Sequence, residues 1–133
     1  MSSALHLSRR DDREIALALL YEADMTGDSI NDVLHRQVVA PEEYAEEIVN
    51  GVFADGSDVD ETIDLFAKDW TVDRMGGIDR AILRIGVWEL LYSPEVPATA
   101  VLSEAVALAH QYSTEKSAPF INGILAAVRD EHL

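Results

Sequence analysis

Residues 79–90 read Asp79-Arg80-Ala81-Ile82-Leu83-Arg84-Ile85-Gly86-Val87-Trp88-Glu89-Leu90. This is a helical pattern that is apolar almost all round yet carries an arginine in its middle. A helix without a polar face belongs inside a packed domain, so its neighbours must surround it. A second stretch, Phe120-Ile121-Asn122-Gly123-Ile124-Leu125, places Asn-Gly inside an apolar run that otherwise reads as helix. That pair costs a helix on the order of 1.5 kcal/mol relative to two alanines. Positions that break local rules are where special packing or function is expected.

Helical period continues outward from these stretches, and strand alternation is nearly absent. A first helix spans Ser8 to Met25, with Ile15, Ala16, Leu19, Leu20 and Ala23 as its apolar face and Gly27 closing it. A second spans Ser29 to Val39. Pro41 opens a third, with Glu42 and Glu43 complementing its N-terminus and Tyr44, Ile48, Val52 and Phe53 facing inward. Ser57 caps a fourth, whose core face is Val59, Ile63, Phe66 and Trp70. Gly76-Gly77 breaks the chain before a fifth helix from Ile78 to Leu91. A sixth runs from Ala98 to Gln111, and Pro119 starts the last. The fold class is all-α, a compact bundle of about seven short helices. Residues 1–8 are expected to be a flexible N-terminus, and 9–133 a single helical domain.

A chain of 133 residues with 48% apolar content has enough material for one core. It has no cysteine, which excludes a disulfide framework and a thiolate site. No apolar run approaches the roughly 18 residues of a membrane span, and residues 1–8 lack an apolar signal core. A cytoplasmic protein follows as the default. The formal charge is −15, from 25 acids and 10 bases. Residues 1–69 carry 17 acids and 5 bases, net −12; residues 70–133 carry 8 and 5, net −3. Such a charge repels nucleic acid at long range. With only two lysines, Lys68 and Lys116, it also suits a salt-adapted organism.

The four histidines have no helical metal-site spacing, and there is no phosphate-binding glycine loop, nucleophile elbow or triad. Asp58-Val59-Asp60 resembles the start of a calcium loop, but Ile63 and Asp69 stand where glycine and glutamate are required. No metal, cofactor or catalytic residue is expected, and an enzyme has nothing to stand on. The scarce cations carry more information. Arg9, Arg10 and Arg13 open the first helix against its dipole; on composition, with Asp11, Asp12 and Glu14 among them, a solvated terminus is the plainer reading, and an RNA-contacting patch the alternative. Arg84 reads as one side of a structural ion pair, with Glu104 or an acid of the first half, its stem along Trp88. Gly123 reads as a close helix–helix contact. Asn122 stays open between a packing bond and a partner surface.

Four blocks in order carry a resemblance: Arg13-Glu14-Ile15-Ala16-Leu17-Ala18-Leu19-Leu20-Tyr21; Ile78 to Ile85 with Trp88-Glu89-Leu90; Val96-Pro97 with Ser103 to Ala109; and Phe120 to Leu125. From about Ser8 to Val128 the chain resembles the transcription antitermination factors of the NusB family. The resemblance implies an all-helical fold of two packed subdomains. It also implies a non-catalytic factor that binds the ribosomal protein NusE and, with it, the boxA element of nascent ribosomal RNA, within the RNA polymerase antitermination complex. Carried over residue by residue, Arg9, Arg10 and Arg13 at the first helix, Lys116, Ser117, Phe120 and Asn122 at the last, and Arg84 are candidate RNA contacts. Tyr21, Glu22 and Asp79 are candidate NusE contacts. Both monomers and homodimers occur in the family.

The chain departs from the family pattern in Asp11-Asp12, in Ala118-Pro119 and in its acidity. These departures bear on RNA affinity more than on fold. One rival is an acidic NusB-like domain that binds NusE or itself without RNA. Another is a free-standing copy of the NusB-like domain that precedes a ribosomal-RNA cytosine methyltransferase.

Overall fold

The computed structural model describes residues 2–132, with side chains from Arg9 onward. Seven α-helices and one 3₁₀ turn follow in order: α1 Ser2–Thr26, α2 Ile30–His35, α3 Glu43–Ala54, α4 Gly56–Ala67, the turn Val72–Arg74, α5 Gly77–Tyr92, α6 Ala98–Tyr112 and α7 Ser117–His132. The all-α class holds. The helix α1 starts at Ser2 rather than Ser8, so it takes in most of the segment set apart as a terminus. The second helix is shorter than expected, because Arg36 already caps it and Gln37 to Glu42 run on as irregular chain.

Helix α5 sits at the centre, packing against α1, α3, α4, α6 and α7. Every residue from Ala81 to Leu90 is buried except Arg84. This is what an apolar helix without a polar face requires. Around it, α1 packs with α2 and α3, while α6 and α7 pair with each other. The core cluster joins both groups through Leu19, Ile48, Ile63, Ile82, Leu83 and Leu125.

Several local expectations are corrected. Ile15 is half-exposed, and Leu17 is buried instead, so the inward face of α1 is rotated from the assigned stripe. Phe53 and Trp70 are exposed rather than core. Ser57 is not a cap: Asp55 occupies that position, with no side-chain bond to the helix, and Ser57 is exposed inside the first turn. Gly123 is not a close contact, because a Cβ there would meet nothing within 4 Å. The close approach lies at Gly51, where a Cβ would fall 2.3 Å from Trp88 Cε2, and at Gly86, where it would fall 2.8 Å from Leu125. These glycines let the α3 and α7 sides reach the central helix.

Candidate RNA and partner interface

The arginines at the start of α1 have different fates. Arg13 is 4% exposed, and its Nε and Nη2 donate to the carboxylate of Glu89 at 3.0 and 2.8 Å. Tyr44 also donates its hydroxyl to Glu89. Burial disfavours the Arg13 charge, but the bonds and charge of Glu89 outweigh it and raise its pKa above the ordinary guanidinium value. Burial, with the field of Glu89, pushes the Tyr44 phenol up. Arg10 stays half-exposed while donating two bonds to Glu104 on α6, at 3.0 and 2.8 Å. Arg9 stacks its guanidinium 4.8 Å from the Tyr44 ring centroid. The outward cationic surface of α1 therefore comes from Arg9 and Arg10.

Asp12 is 4% exposed, and among the described residues no salt bridge reaches its carboxylate. Burial, then the charges of Glu42 and Asp11, push its carboxyl above the usual range.

At the other end, Asp79 in the first turn of α5 accepts from the hydroxyls of Ser113 and Ser117, whose oxygens lie 2.9 Å apart. Ser117 is buried in this network. The bonds tie the α6–α7 connection to the start of α5. Lys116 and Asn122 are exposed, and Phe120 is partly buried against the core. Tyr21 and Met25 of α1 lie over Gly77, two residues from Asp79, so the structure brings Tyr21 and Asp79 to one end of the molecule. Glu22 instead pairs with Arg36, at 2.6 Å. A bond from Tyr112 to Glu14, at 3.0 Å, continues the α1 face toward the α6–α7 connection.

Arg84 lies apart from these groups. Its Nε and Nη2 donate to Asp60 of α4 at 2.9 and 3.0 Å, a pair with an acid of the first half rather than with Glu104. Arg80, assigned no partner from the sequence, donates to Asp24 and to the carbonyls of Val72 and Met75. Trp70, read as a core residue, and Arg74, given no role, line a groove of about 300 Å³ with Asp79, Lys116 and Phe120. The signal available for Trp70 was a tryptophan among polar residues just before Gly76-Gly77.

Among the described residues no group of carboxylates and histidines could hold a metal ion, and no helix is long and apolar enough to cross a membrane.

The fold and the two anchored helix starts define a small all-helical module whose polar surface converges on the ends of α1, α5 and α7. The chain belongs to the NusB family, whose model matches residues 10–130. It is 40% identical over 127 residues to the transcription antitermination protein NusB of Kineococcus radiotolerans, covering 92% of this chain and 93% of that protein. The NusB of Acidothermus cellulolyticus is 44% identical over 126 residues, covering 92% and 87%. Among solved structures, T. maritima NusB superposes with a TM-score of 0.84 at 27% identity, covering 93% of this chain and 92% of that one. A chain in the complex of antitermination factors NusB and NusE with dsRNA superposes at 0.81 and 26% identity, covering 94% and 98%.

Proposed function

We propose that this chain is a cytoplasmic antitermination factor that binds single-stranded boxA-type RNA jointly with NusE and has no catalytic step. The observation that carries the reading is the placement of Arg9 and Arg10 on the outward face of α1, linked through Glu14 and Tyr112 to the α6–α7 connection that bears Lys116 and leads into Phe120 of α7. Arg9 and Arg10 supply phosphate contacts, and Phe120 supplies a ring edge for an unpaired base. Arg13 and Ser117 hold this surface in shape rather than touching RNA, and Arg84, paired with Asp60 away from it, is structural. Tyr21 and Asp79 form the NusE-facing end, as the family resemblance implies.

One observation favours a second reading. Asp11, Asp12, Glu14, Glu89 and Glu104 surround Arg9, Arg10 and Arg13, so the start of α1 is net negative even where its arginines point outward. In a protein-only version, NusE binding or self-association persists and RNA binding is gone. Equilibrium binding of a boxA-type RNA across a salt series, with and without NusE, separates them. Joint binding gives salt-dependent RNA affinity that rises with NusE and falls when Arg9 and Arg10 become alanine. A complex with NusE that never takes up RNA establishes the protein-only reading.

A further inference from the structure

In a chain with 25 acids and 10 bases, a cation without a carboxylate partner is the exception. Arg10, Arg13, Arg36, Arg80, Arg84 and Arg129 are all ion-paired. Among the described residues Arg9, Lys68, Arg74 and Lys116 are not, and two of those four, Arg74 and Lys116, line the same groove. An acidic protein gains nothing in fold stability by leaving these two unpaired beside each other. Their placement suits an anion.

The groove also holds two aromatic side chains. Trp70 is 53% exposed, an unusual position for a tryptophan, and Phe120 is only partly buried. The groove opens between the first turn of α5 and the first turn of α7, so the positive ends of two sixteen-residue helices add to the two cations. One acid lies there, Asp79. Each of its oxygens already accepts from a serine hydroxyl, which fixes its plane, and each keeps a lone pair for a further N–H.

We infer that this groove is a nucleotide pocket. One unpaired base of bound RNA lies against Trp70 and Phe120, its neighbouring phosphates meet Arg74 and Lys116, and its amino or imino edge donates to Asp79. The inference rests on the RNA-binding reading and extends it to the α4–α5 connection, which supplies Trp70 and Arg74. A basic protein segment fits less well, because it would meet Arg74 and Lys116 at close range. A volume of about 300 Å³ accommodates one base.

The test is equilibrium binding of a short single-stranded boxA-type RNA to the full chain, with and without NusE, read by tryptophan emission and by an independent titration. The variants are Trp70→Ala, Trp70→Phe, the pair Arg74→Ala with Lys116→Ala, and the pair Arg9→Ala with Arg10→Ala. The residues are exposed, so thermal melting monitored by circular dichroism should be unchanged and confirms that each variant folds. RNA should quench the emission of the native chain, and Trp70→Ala should weaken binding about tenfold while Trp70→Phe retains most of it. Removing Arg74 and Lys116 should make the salt dependence shallower by roughly 0.7 per cation lost. Undiminished affinity in Trp70→Ala, alongside a loss in the Arg9 and Arg10 pair, would overturn the pocket and leave the RNA reading standing. Loss of NusE binding alone in Trp70→Ala would make the groove a protein surface and equally overturn it. RNA binding by no form, with or without NusE, removes the function and the pocket together.

Discussion

Arg13 of α1 and Glu89 of α5 form a forked ion pair between two nearly inaccessible side chains, with Nη2 2.8 Å from Oε2. The pair sits where an arginine-rich segment was expected to face RNA. Removing one partner leaves an uncompensated charge in the interior, which costs about 3–5 kcal/mol. Arg13→Ala and Glu89→Ala should therefore each lower the melting temperature by roughly 10 °C or more, and the double variant should lose much less than the sum. Thermal denaturation of the three proteins checks this. An Arg13→Ala protein of native stability that no longer binds RNA would show Arg13 to be a ligand contact.

Asp12, one residue away, behaves oppositely. Its carboxyl is raised in the folded chain, first by burial and then by Glu42 and Asp11. The native state thus holds the proton more tightly than the unfolded chain, and the group's contribution falls as pH rises from the ordinary carboxylate value through the raised one. Above that window the buried charge is a standing penalty. Asp12→Asn should stabilise the protein at neutral pH, by on the order of 1 kcal/mol, and the gain should vanish in acid, where Asp12 is protonated in both states. Melting curves of both proteins from neutral to acidic pH test the sign.

Gly51 and Gly123 should respond in opposite directions to the same substitution. At Gly51 the new methyl would overlap the Trp88 indole, with backbone on one side and a buried ring on the other. Gly51→Ala should cost about 1–3 kcal/mol. At Gly123 the space is open within a helix, so Gly123→Ala should gain up to about 1 kcal/mol from helix propensity. Denaturant titration of the two variants gives the comparison directly.

Arg80 is a clamp. It joins Asp24 at the end of α1 to the carbonyls of Val72 and Met75, and so fixes the turn between α4 and α5. Arg80→Ala should cost about 2–3 kcal/mol and speed amide exchange around Val72 to Gly76 more than elsewhere. Arg80→Lys should recover only part, because one ammonium cannot fork to the same set of acceptors. Exchange rates at that turn that match the native protein would refute the clamp.

The central helix was legible in the sequence because its composition leaves it no surface to show. The order and number of helices followed from period and from Gly76-Gly77 and Pro97. The pairings were not legible. Arg10 meets Glu104 across 94 residues, Arg13 meets Glu89 across 76, and Arg80 meets Asp24 across 56, separations that no helical spacing encodes. Gly123 drew attention because glycine is costly in a helix, while Gly51, inside an apolar stripe, did not; only the position of Trp88 distinguishes them. At the candidate site, Phe120, Lys116 and Asp79 were reached through family resemblance. Trp70 was misplaced because helical period carried it onto the core face of α4, although the helix ends at Ala67, and Arg74 was missed because it sits in a connection, where neither period nor family motif directs attention.

The Arg13–Glu89 pair also orders events during synthesis. The chain emerges from its N-terminus, so Arg13 leaves the ribosome 76 residues before the carboxylate that neutralises it. At about 5–20 residues per second, that interval is roughly 4–15 s. Throughout it, α1 carries a charge that it cannot bury, and Arg10 waits longer still for Glu104. The first three helices therefore cannot close into their final arrangement while they are made. The bundle locks only once α5 and α6 have been delivered, making the last half of the chain the timer for the first.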